Sequence, residues 1–163
     1  MKTNKITKLI ILLIVPIVFI NCTSKNKNQI THKEDYKAYL EVNDNKELEN
    51  INKEIEFWQT KFDAAPNQSS YLITLASEYS QLFAITGKID DLYKAEKLLL
   101  EANEKFAGQK AGIHRAIARN YISQHRFKEA LSYLEKADEL GENKMGTQKM
   151  LFDVYMELGN YDL

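Results

Sequence analysis

Few side chains in this chain are placed for covalent or acid–base chemistry. Of its three histidines, His32 stands in a polar stretch, His114 on an apolar periodic face and His125 between two periodic runs. None belongs to a metal-binding pattern of the H-E-x-x-H or C-x-x-C kind. No glycine-rich phosphate loop occurs, and no serine stands in a nucleophile elbow. The chain is therefore expected to be non-enzymatic, with no catalytic residue, cofactor or metal. Two kinds of chemistry are left: the thiol of Cys22, and the cations Arg115, Arg119 and Lys149, which can hold a carboxylate through charge-assisted hydrogen bonds.

Cys22 is the only cysteine, so no disulfide framework exists to be read. It follows a positive segment with Lys2, Lys5 and Lys8 and an apolar run from Leu9 to Ile20. Spanning a bilayer takes about 20 apolar residues, and this run falls short, so a secretory signal is the better reading. No small-x-small cleavage site follows. The run ends in Phe19-Ile20-Asn21-Cys22 and resembles a bacterial lipobox, in which the thiol is lipidated and becomes the new N-terminus. It departs from that pattern with Phe19 where leucine is favoured and Asn21 where a small residue is usual. The resemblance implies a signal peptide over 1–21 and acyl chains such as palmitate on Cys22, enough for stable membrane anchoring. Thr23 in place of aspartate then implies outer-membrane sorting, with the protein facing the periplasm of the cell envelope. Loss of the three lysines would take the net charge from −1 to −4.

The remaining composition is that of a folded domain, with 44% apolar residues, only six glycines and two prolines. No basic or acidic block occurs, which argues against nucleic acid as a partner. Residues 22–43 form a polar, lysine- and asparagine-rich tether, with Tyr36, Tyr39 and Leu40 spaced for one or two helical turns.

The groups that could bind must be positioned by helices. Asp44 and Glu47 have capping-box spacing, and Leu48, Ile51, Ile55, Trp58 and Phe62 follow as one helical seam closed by Pro66. Trp58 is read as packing rather than as a sugar-stacking platform. Ser69 or Ser70 caps the next helix, with Leu72, Leu75, Ala76 and Tyr79 on one face. His114, Ile117, Ala118 and Tyr121 repeat that spacing 42 residues later. Leu92, Ala95, Leu99 and Ala102 recur as Phe127, Ala130, Leu134 and Ala137 after 35 residues, so the earlier copy carries seven extra residues. As an extension of its first helix, these would carry Leu82, Phe83 and Ile85 beyond the partner helix. There they would need cover from Tyr36–Leu40, or would form a docking patch.

Ala111 to Lys144 spans 34 residues and resembles a tetratricopeptide repeat: Ile117-Ala118, Tyr121, Phe127, Ala130, Leu134 and Ala137 stand at that family's packing positions. It departs with His114 for tryptophan, His125 for the turn glycine and Glu142 for proline. A further copy starts at Met145, with Leu151-Phe152, Tyr155, Gly159 and Tyr161 in phase. The resemblance implies an all-α helical-repeat solenoid over 44–163: a cap helix at 44–63, repeats at 69–107 and 111–144, and an incomplete repeat at 145–163. Its last helix presents Leu151, Phe152, Tyr155 and Leu158 without a second helix, so a fragment of a longer array is expected in preference to an end capped by another subunit.

In such arrays the first helix of each repeat lines a concave groove. Carried over, that groove comprises Arg115, Arg119, Ile122 and Ser123, then Lys149, Asp153, Met156 and Glu157, and in the earlier copy Ile73, Ser77, Ser80 and Gln81. Arg115, Arg119 and Lys149 would converge there on an acidic peptide or C-terminal carboxylate, unless the two arginines pair with Asp153 and Glu157. The implied function is a membrane-anchored scaffold with a protein or peptide partner. The alternative is a piece of a longer lipoprotein for carbohydrate uptake, or one with a catalytic domain downstream.

Overall fold

The computed structural model describes residues 30–40 and 45–161. Cys22, its apolar run and Asp44 lie outside them. The described residues form seven helices: α1 Glu34–Leu40, α2 Lys46–Ala64, α3 Ser70–Thr86, α4 Ile89–Lys105, α5 Ala111–Ser123, α6 Phe127–Leu140 and α7 Lys144–Glu157. The chain divides into two units, Met1–Asp44 and Asn45–Leu163. In the first, α1 supplies the short helix expected around Tyr36–Leu40, and all three of those apolar side chains are exposed.

In the second unit each helix packs chiefly on its neighbours in sequence, and the most extensive contacts join α3 to α4 and α5 to α6. Two helical hairpins stacked in series, with α2 before and α7 after, give a repeat-packed all-α fold. The hairpins close tightly because alanines stand where the helices cross. Ala76 and Ala95 in the first, and Ala118 and Ala130 in the second, are almost fully buried. Leu72, Leu99, Ile113, Ile117, Leu134 and Val154 fill the core around them.

Turn chemistry sets the ends. Gly87 and Gly141 stop α3 and α6 in the left-handed region, at φ 67° and 76°. His125 takes the same region at φ 57° without being glycine. The α2 cap is Asn45, whose side chain accepts from Leu48 N–H at 3.0 Å, one residue beyond the expected Asp44. Ser69 holds the N-cap place of α3, but its hydroxyl makes no capping bond.

The seven-residue insertion is divided between both helices of its hairpin. α3 has 17 residues against 13 in α5, and α4 has 17 against 14 in α6. Lengthening one helix alone would leave its added apolar turn in water, whereas lengthening both buries it. Leu82 is accordingly buried, and Phe83 and Ile85 are half-buried. The three do not form the single open patch expected of a one-sided extension. The added turn of α4 places Asp91 in the interior, where it accepts from Thr86 Oγ1 at 3.3 Å and pairs with Lys94 at 3.1 Å.

Candidate functional site

A cavity of about 410 Å³ opens between α3 and α5. Ile73, Phe83 and Ala84 from α3 and Ala116 from α5 give it apolar walls, and Leu92 and Leu99 of α4 form its floor. Ser77, Ser80 and Ser123 add hydroxyls. Ser80 Oγ donates to Ala76 O at 2.9 Å and Ser123 Oγ donates to Arg119 O at 3.1 Å. Each of these two hydroxyls has spent its proton on its own helix, so its lone pairs remain as acceptors. Arg119 is the one cation on the cavity wall; it is exposed, and its guanidinium has no hydrogen-bond or ion-pair partner among the described residues. An apolar slot with hydroxyl acceptors and a free guanidinium suits an extended peptide that carries a carboxylate.

Five residues expected on the concave face therefore come together here: Ile73, Ser77, Ser80, Arg119 and Ser123. The others do not. Arg115 Nη1 donates to Glu142 O at 2.6 Å and Thr147 Oγ1 at 3.2 Å, which fastens α5 to the turn before α7. These two bonds commit Nη1 of Arg115 to the turn and to α7, and neither arginine pairs with Asp153 or Glu157. Ile122 is half-buried against the core. Lys149 and Asp153 line a separate depression on α7, and Met156 is exposed on the same helix. The expected convergence of Arg115, Arg119 and Lys149 is thus reduced to Arg119, because turn geometry claims one cation and helix direction removes the other.

Asn120, which the sequence pattern did not single out, also lines the cavity and is buried. Its Nδ2 donates to Leu92 O at 3.0 Å, and its Oδ1 accepts from Gln124 Nε2 at 2.6 Å. Gln124 also donates to Glu96 at 2.9 Å, and Arg126 reaches both Glu96 oxygens at 3.2 Å. The Arg126 guanidinium lies 4.2 Å from the Tyr121 ring centroid. This chain of contacts ties α4 to α5 and to the α5–α6 turn, and so fixes the spacing of the cavity walls. Burial pushes the Tyr121 phenol up to about 12, with the Glu96 carboxylate and Tyr133 adding to the shift. Arg126 holds the Glu129 carboxyl below its ordinary value through their hydrogen bond. A polar residue immediately before Tyr121 on a packing helix was the available signal for Asn120.

His114 is a packed residue. Its Nε2 donates to Gly108 O at 2.9 Å, and its ring lies 5.7 Å from that of Tyr133. Trp58 is half-buried between Phe57 and Tyr71, with ring centroids at 5.2 and 5.8 Å. Among the described residues no group of three His, Cys, Asp or Glu side chains is arranged to hold a metal ion. No helix among them is long and apolar enough to cross a membrane.

No known family's model matches the chain, and no curated protein matches its sequence. The fold itself defines the class: an all-α protein of serially packed helical hairpins, an architecture compatible with an interaction scaffold.

Proposed function

We propose that this protein is a tetratricopeptide-type interaction scaffold, non-catalytic, held at the bacterial envelope through lipidated Cys22. The observation that carries the binding half of this reading is the α3–α5 cavity, where Arg119 stands free beside an apolar slot and serine acceptors. Its ligand is an extended segment of a partner protein, with a side-chain or C-terminal carboxylate at Arg119 and an apolar side chain against Ile73 and Phe83. The anchor half rests on the run from Leu9 to Cys22. Thr23 after the cysteine supports the outer membrane, on its periplasmic side, as the place of action. Arg119→Glu, followed by recovery of bound protein from envelope extracts, tests the cavity, since a reversed charge repels a carboxylate. Recovery equal to that of the unaltered chain removes the cavity as the binding site. Cys22→Ser tests the anchor separately, and acyl chains that persist on the variant remove Cys22 as their attachment point.

A further inference from the structure

The last helix carries a second surface, independent of the cavity. Met145, Phe152 and Met156 are 71%, 59% and 46% exposed. Met145 and Phe152 share a depression of about 460 Å³ with Gln148, Lys149 and Asp153. The opposite side of α7 is buried against the core through Thr147 and Val154. In the two hairpins, the residues in register with Phe152 are Ala76 and Ala118, both at most 1% exposed. Alanine at that place lets the next helix cross closely, and a phenyl ring holds it off. The element that covers α7 is therefore not packed like α4 or α6.

The charges of α7 point to what covers it. Lys144 begins the helix and Glu157 ends it, each at the end where the helix's own dipole disfavours its sign. Lys149 and Asp153 follow the same order along the open face. Among the described residues none of these four has an ion-pair partner. A helix with positive charge toward its N-terminus and negative charge toward its C-terminus is complementary to itself when antiparallel.

We propose that α7 docks on α7 of a second copy of this chain, antiparallel about a two-fold axis near residues 150 and 151. Met145 then faces Met156, and Lys149 lies beside Phe152 and Asp153 of the other copy. The interface is isologous, so each contact occurs twice. Methionine at both ends suits a surface that must adapt its packing, and Phe152 supplies the central apolar area. One helix face per copy buries less than the ~800 Å² per partner of standard interfaces, which sets a weak, concentration-dependent association.

Sedimentation equilibrium of the full chain over a wide concentration range tests this. The unaltered chain is expected to self-associate, and Phe152→Ser to abolish the association. Lys149→Asp and Asp153→Lys are each expected to weaken it about tenfold by setting like charges together. The double variant, which exchanges the two charges, is expected to restore it. A concentration-independent monomer overturns the proposal and gives the face to another protein or a further segment of chain. Association that survives Phe152→Ser also overturns it, since the contact then lies elsewhere. So does a double variant as weak as either single one, since the charges then do not face each other.

Discussion

Asn120 Nδ2 donates to the main-chain oxygen of Leu92 at 3.0 Å, across the junction between the two hairpins and directly beside the cavity. That oxygen lies within α4, so the amide adds a bond to a helix that is already internally paired. Asn120 and its neighbour Arg119 thus divide the work of one helix turn: the first fixes the wall and the second offers the charge.

Replacing Asn120 by leucine removes the bond to Leu92 and leaves the Gln124 amide without one of its acceptors. Breaking such a buried polar contact costs about 1–3 kcal/mol. Urea unfolding is expected to show that loss. Binding at the cavity is expected to weaken in the same variant, because α5 is no longer held at fixed distance from α4.

His125 occupies the left-handed region at φ 57° and is exposed, in the turn between α5 and α6. A non-glycine residue there bears roughly 1–2 kcal/mol of steric cost, offset in part by the greater chain entropy of glycine when unfolded. His125→Gly is expected to raise the stability by about 0.5–1 kcal/mol, read as a higher midpoint in thermal unfolding. No change would show that the turn is not strained.

Two helical glycines are expected to respond with opposite signs. A Cβ on Gly112 meets nothing closer than the Arg115 guanidinium at 3.8 Å, so Gly112→Ala gains helix propensity, about 0.5–1 kcal/mol. A Cβ on Gly146 would come within 2.6 Å of the Asn143 amide, which caps α7 through Gly146 N–H at 3.4 Å. Gly146→Ala is expected to displace that cap, cost about 1–2 kcal/mol and speed amide exchange in α7.

Burial pushes the Tyr121 phenol up to about 12 in the folded chain, against 10.0 when unperturbed. Its folded value is raised, so the stabilisation is complete below about pH 10 and is lost as pH climbs to about 12. The two-unit difference corresponds to roughly 2–3 kcal/mol. Tyr121→Phe is expected to flatten this part of the alkaline unfolding profile. A profile unchanged by the substitution would contradict the burial of the phenol.

Most of the architecture was legible because it is local. The period of Leu72, Leu75, Ala76 and Tyr79, the matching run from His114 to Tyr121, and the stops at Gly87 and Gly141 are all set by contacts within one or two helical turns. What escaped was long-range. Counting residues gives the size of the insertion but not its division between α3 and α4, which the burial of Leu82 decides. Arg115 has the spacing of a groove residue, yet its destination depends on the turn that brings up Glu142 O. The Asn120–Leu92 and Gln124–Glu96 bonds span 28 residues in sequence and have no periodic signature. Of the site, the concave positions Ile73, Ser77, Ser80, Arg119 and Ser123 were legible as a set, but the isolation of Arg119 from the other cations was not.

The central claim is that the α3–α5 cavity takes a carboxylate-bearing segment at Arg119, and selection of peptides on the full chain tests it most directly. The selected peptides are expected to carry an acidic group beside an apolar residue. Their affinity should fall about 10- to 100-fold with Arg119→Glu, the range for losing a charge-assisted hydrogen bond, and hold with Lys149→Glu. Selected peptides that lack acidic groups, or that bind Arg119→Glu as tightly as the unaltered chain, would contradict it.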